Sequence, residues 1–213
     1  MSATPNAPGS AAGNDDEDAR AGPGEPAGGF SLANHFLIAM PAMADERFSG
    51  TVIYVCEHNA RGALGIVINR PTELTLESLF ERVDLKLEIA PLVALPVFLG
   101  GPVQVERGFV LHDQPDAGYS STLPVGGGLA LTTSKDVLEA VAAGSGPHHL
   151  LVSLGYAGWG PGQLENELAQ NAWLTVPAAA NVIFDVPYPE RFNAALGLLG
   201  ITASMLSAEA GHA

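Results

Sequence analysis

Few side chains in this 213-residue chain have the types and spacings from which chemistry is built. The richest stretch is Gly155-Tyr156-Ala157-Gly158-Trp159-Gly160-Pro161-Gly162-Gln163-Leu164-Glu165, where an apolar run feeds four glycines and then a helix start. Such a junction can present backbone N–H groups at the positive end of a helix, which suits a phosphate or carboxylate. The spacing is neither a P-loop nor a dinucleotide fingerprint, and no lysine follows it. It reads first as a tight turn with Trp159 as a packing plug and Glu165 in the first helical turn. Its second reading is a ligand or partner surface carrying Tyr156, Trp159, Gln163 and Glu165.

Two polar clusters follow apolar runs, Glu57-His58-Asn59 and Asn69-Arg70. Glu57 and His58 have the types of an acid–base pair, but neighbours on a strand point to opposite faces, so hydrogen bonding at the sheet edge is the plainer role. Arg70 and Arg107 stand out because basic residues are rare. Each is either an anion contact in a pocket or half of a structural ion pair.

The histidines at 35, 58, 112, 148, 149 and 212 match no zinc spacing with neighbouring Cys, Asp or Glu, and no metal or other cofactor is expected. His148-His149 reads as a solvated turn, while His35 and His112 could converge only from separate strands. Ser153, in Leu151-Val152-Ser153-Leu154-Gly155, lacks the leading glycine of a nucleophile elbow and reads as a satisfied strand hydroxyl. Cys56, the lone cysteine, cannot form an intrachain disulfide and reads as a small buried hydrophobe, in keeping with a reducing cytoplasm.

These residues need a scaffold, and the composition bounds it. Residues 1–29 hold no Val, Ile, Leu or Phe but do hold Asp15-Asp16-Glu17-Asp18. With so little to bury, they are expected to be a disordered acidic tail. Residues 30–213 are about one domain in length, and a chain with 47% hydrophobic residues can supply its core. The formal charge of −14 persists without the tail, since 18 acidic residues face 8 basic ones beyond residue 29. Such a surface repels phosphate backbones, so direct nucleic-acid binding and attachment to an anionic membrane are not expected. The apolar stretch Ile89 to Val105 is broken by Pro91, Pro96 and Pro102, so no membrane span is expected, nor is a signal peptide.

Strand-length apolar runs occupy Leu32 to Met40, Thr51 to Cys56, Leu64 to Asn69, Val97 to Leu99, Gly108 to His112, Leu129 to Thr132, His149 to Tyr156, Trp173 to Val176 and Val182 to Phe184. Several are apolar on both faces and need cover on both sides. Helices are expected after the cap Thr75, after a capping-box-like Thr133-Ser134-Lys135-Asp136, after Pro161-Gly162, and from Pro189 with Phe192, Ala195, Leu196 and Leu199 inward. Thr51 to Asn69 and Val97 to His112 are spaced as hairpins. The reading is α+β: one compact domain with a mixed, largely antiparallel sheet flanked by about four helices.

Phe36-Leu37-Ile38-Ala39-Met40-Pro41, Val52 to Asn59, Asn69-Arg70-Pro71, Gly100-Gly101-Pro102-Val103, Arg107 to His112, and Gly155 to Glu165 with Asn171-Ala172-Trp173-Leu174 together resemble the YqgE/AlgH family of bacterial proteins. The resemblance runs in order from about Leu32 to the C-terminus. It implies an α+β domain with a strongly coiled sheet, a cytoplasmic protein and no established enzymatic activity. The AlgH name also brings a regulatory role in alginate production, a transcriptional reading that rests on the family name only.

Two functional readings follow. The leading one is a non-enzymatic binding or regulatory module acting through a protein partner of unknown identity. The alternative is an enzyme or sensor for a small anionic ligand, with a pocket near Arg70, Arg107 and the Gly155–Glu165 loop.

Overall fold

Alternating inward side chains build a sheet buried on both faces. In a computed structural model, which describes residues 30–43, 45–114 and 116–209 (side chains to 206), contacts divide the chain into Met1–Phe30 and Ser31–Ala213. The fold belongs to the second unit. The tail expected over residues 1–29 lies outside the described residues.

The elements in order are β1 (His35–Ala39), a 3-10 turn (Glu46–Phe48), β2 (Val52–Asn59), β3 (Gly62–Val67), β4 (Pro71–Thr75), α1 (Leu76–Arg82), α2 (Ala90–Val93), β5 (Pro96–Leu99) and β6 (Val103–His112). There follow β7 (Thr122–Gly126), β8 (Leu129–Thr132), α3 (Asp136–Ala142), β9 (Leu150–Trp159), α4 (Gln163–Ala169), β10 (Trp173–Pro177), α5 (Ala180–Phe184), α6 (Arg191–Leu198) and α7 (Ala203–Glu209).

The ten strands form one sheet in the order β10-β1-β2-β3-β9-β6-β8-β7, with β5 alongside β9 and β4 alongside β5. All pairings are antiparallel except β5 with β9. The expected mixed, largely antiparallel α+β architecture is therefore observed. Phe36 and Ile38 face a core closed by Ile183 and Leu196 from α5 and α6, while Leu37 and Ala39 face one closed by Leu164 of α4. A third core joins Leu76 and Phe80 of α1 to Val137 and Val141 of α3 over Val110 and Val152. This is the two-sided cover that strands apolar on both faces require.

Several local expectations are corrected. Val182 to Phe184 lies in α5, since three apolar residues are too few to set a period and both Val182 and Ile183 are buried on the helix. Three short helices, α2, α5 and α7, join the four expected. The strands β4 and β7 lie outside the expected runs because Pro71 opens the one and Pro124 sits inside the other; both are edge strands, where a missing N–H is tolerated. Val97 to His112 is not a hairpin, because β9 lies between β5 and β6.

The hairpin of β2 and β3 is as expected, and Thr75 does cap α1, accepting from the Ser78 N–H at 3.3 Å. Helix α3 lacks the capping box: Ser134 donates to Asp136 instead of capping backbone. Helix α6 starts at Arg191 rather than Pro189 and buries Ala195 and Leu196, leaving Leu199 exposed.

Candidate functional site

Three glycine-bearing stretches, Gly62 to Gly65, Gly100 to Gly101 and Gly155 to Gly162, converge on the second half of β9. Gly101 crosses so tightly that a Cβ there would lie 2.1 Å from the Tyr156 carbonyl carbon, and one on Gly62 would lie 2.1 Å from the Trp159 oxygen. The expected loop at Gly155 is thus strand as far as Trp159, with Gly155 as a bend at φ +71°.

Two hollows flank this crossing and share Val103, Gly158 and Trp159. One, about 400 Å³, is lined by Glu57, Asn59, Arg61, Leu64 and Tyr156. The other, about 340 Å³, is lined by Met43, Phe48, Gln163, Glu167, Gln170 and Trp173. A smaller one of about 110 Å³ holds Arg70 beside Phe48 and Pro102.

The larger aromatic wall is ordered by one carboxylate. Phe48, Trp159 and Trp173 pack at centroid separations of 5.7 to 6.5 Å. Both indole N–H groups donate to Glu167 Oε2, at 2.9 Å from Trp159 and 2.8 Å from Trp173. Gln163 donates to Glu167 Oε1 at 2.9 Å, and its own Oε1 accepts from the Gly160 N–H at 3.0 Å. Sequence reasoning named Trp159 and Gln163 but missed Glu167 and Trp173. The available signal was spacing: Gln163 and Glu167 are one helical turn apart on α4.

His58 and Glu57 point to opposite sides of β2, as the strand period requires. His58 Nδ1 accepts from the Leu32 N–H at 3.0 Å, so in the neutral ring Nε2 carries the proton and donates to Glu165 Oε1 at 3.1 Å. Glu57 accepts from Asn59 and pairs with Arg61 at 3.6 Å. His58 therefore partners Glu165, more than a hundred residues away, a pairing with no local signature.

Asn69 is structural: it accepts from the Val52 N–H and donates to the Gly50 carbonyl, each at 2.9 Å. Arg70 donates to the carbonyls of Arg47 and Ser49, whereas Arg107 donates to Thr133 at 2.9 Å and lies over Phe109. The two arginines thus serve different segments and share no partner.

Ser153 corrects its expectation in part. It lies on β9, but its buried Oγ has no hydrogen-bond partner among the described residues and is packed against Gly100, where a Cβ would come within 2.7 Å of it. Cys56 is buried, and burial first, with the nearby Glu57 charge second, pushes its thiol pKa far up, away from the reactive thiolate. His149, read as a solvated turn, is half-exposed and pairs with Asp113 at 2.8 Å. Among the described residues no group of three or more His, Cys, Asp or Glu could hold a metal ion, and no helix is long and apolar enough to cross a membrane.

Fold and site together define an α+β protein on one open, largely antiparallel sheet, with an aromatic groove where its glycine-rich stretches cross. The AlgH-like family, DUF179, matches residues 36–204, and the chain belongs to that family. It is 63% identical over 190 residues to a UPF0301 protein of Burkholderia vietnamiensis, covering 89% of this chain and 99% of that relative. A UPF0301 protein of Burkholderia cenocepacia matches at the same identity and coverage. The solution structure of the AlgH protein from Pseudomonas aeruginosa is 51% identical, with a TM-score of 0.71 over 89% of this chain and all of that one. A crystal structure of a Corynebacterium diphtheriae protein shares the fold at 19% identity, with a TM-score of 0.55 over 70% of this chain and 78% of that one.

Proposed function

We propose that the protein is a non-enzymatic, cytoplasmic binding module that engages a protein partner through the groove lined by Met43, Phe48 and α4. The observation that carries this reading is the Glu167 carboxylate, whose oxygens are taken by Trp159, Trp173 and Gln163. Glu167, Gln163 and the two indoles hold one another, so what the groove offers a visitor is shape and apolar wall rather than a poised acid or nucleophile. Arg47, exposed on the rim and paired with Asp45 at 2.6 Å, and the half-buried Met43 leave room for an apolar side chain of a partner segment. Any regulation would then act through that partner, since the −14 charge disfavours direct contact with DNA.

The test is site-specific photocrosslinking in cells from Gln170 on the groove rim, with Glu88 on the far loop as the control position. A discrete adduct from Gln170 alone, lost when Met43→Trp fills the groove, is the expected result. Adducts of the same identity from both positions, or an adduct indifferent to Met43→Trp, would overturn the reading. The alternative of an anion pocket shared by Arg70 and Arg107 finds no support in their hydrogen bonds, which lead to separate segments.

A further inference from the structure

Arg191, the first residue of α6, is a cation in the wrong place for a structural ion pair. It is only 7% exposed, yet it is in none of the ion pairs among the described residues. Its Nε donates to the Val186 carbonyl at 3.0 Å and its Nη1 to the Ile68 carbonyl. The ring of Phe98 faces the guanidinium, 5.1 Å from centroid to central carbon. These contacts offset part of the cost of burying a charge, but buried charges in folded proteins are ordinarily met by an opposite charge. Burial lowers the guanidinium pKa to about 10, which leaves it cationic at neutral pH.

A hollow of about 400 Å³ adjoins this cation, with Leu95, Phe98, Ile183, Phe184 and Tyr188 among its walls. That volume lies within the range of small-molecule sites. Of five guanidinium N–H groups, two are spent on the backbone carbonyls, and the other three can take a two-oxygen acceptor. One positive charge matches one negative charge. Asp185 at the rim adds repulsion against a dianion such as phosphate.

We propose that this hollow binds a small organic monocarboxylate, its carboxylate on Arg191 and its apolar body against Phe98, Ile183 and Tyr188. The site shares no lining residue with the groove around Trp159, so either assignment can fail without the other.

Calorimetric titration of the full-length protein with hydrocinnamate and octanoate, beside the uncharged hydrocinnamamide, tests the assignment. Saturable single-site binding of at least one carboxylate is expected, with the amide weaker by about tenfold or more than its acid. Arg191→Met removes the preference for acid over amide. If that variant does not fold, Leu95→Trp at the exposed mouth carries the test by weakening carboxylate binding about tenfold, with the fold checked by circular dichroism. Three results would each overturn the proposal: no saturable heat from either carboxylate up to about 10 mM, equal binding of acid and amide, or carboxylate binding unchanged in every folded variant.

Discussion

At the scale of single residues, Glu167 shows how one side chain can decide what a site does. A carboxylate on a helix is ordinarily a solvated charge, but here Oε2 accepts from two indoles that are 6% and 4% exposed. Glu167→Leu leaves both N–H groups without their acceptor, and each buried unsatisfied donor costs about 1 to 3 kcal/mol. The expected loss in urea denaturation, followed by tryptophan fluorescence, is about 2 to 6 kcal/mol. Glu167→Gln keeps a carbonyl acceptor and should recover much of it. Trp159 and Trp173 are legible in the sequence as apolar residues; that they share one acceptor is not, because the geometry joining β9, α4 and β10 sets it.

At the scale of elements, the crossing of Gly101 and Gly155 is where the sheet changes partners. On one edge of β9, β6 pairs both before the bend, at Leu150 to Leu154, and beyond it, at Tyr156; on the other edge β5, at Ser153 and Leu154, gives way to β3, at Ala157 to Trp159. The change happens at Gly155, whose left-handed φ of +71° is costly for other residues, and where a Cβ would lie 2.5 Å from the Gly101 oxygen. Gly155→Ala therefore incurs both backbone strain and overpacking, about 3 kcal/mol or more together. Gly160, five residues on, meets nothing nearer than 3.9 Å, so Gly160→Ala should stay within about 0.5 kcal/mol. Equal losses for the two variants in thermal or urea unfolding would contradict this account of the bend. The sequence shows both glycines in equivalent-looking company. Only the neighbouring strand distinguishes them.

At the scale of the whole molecule, titratable groups held by burial or by hydrogen bonds tie stability to pH. His112 is fully buried; its Nδ1 accepts from the Gln114 N–H and its Nε2 donates to Thr132 Oγ1 at 2.8 Å. Burial holds its pKa below the ordinary 6.5, so the unfolded chain binds the proton more readily. Its contribution is thus complete above about pH 6.5 and declines as the pH falls below that value. Asp136 acts in a lower window. The Ser134 hydroxyl, with further hydrogen bonds from Ser120, holds its carboxyl at about 2, so stability is lost as the pH falls from the ordinary 3.8 toward that value. The urea midpoint is expected to drop between about pH 7 and 5, and His112→Gln, uncharged throughout, to flatten that slope. A slope unchanged in the variant would assign the effect to other groups.

Hydrophobic patterning and turn chemistry are local properties, and they sufficed to indicate the α+β class, the β2–β3 hairpin and the Thr75 cap, while the family was legible through the resemblance of its residue motifs. Turn chemistry also marked Gly155 to Glu165 as a turn where a surface could be built. The insertion of β9 between β5 and β6, the pairing of His58 with Glu165, the two indoles on Glu167 and the buried charge of Arg191 were decided by tertiary structure alone. Each depends on residues far apart in the chain meeting across the sheet, and single-sequence periodicity carries no record of which strand lies beside which.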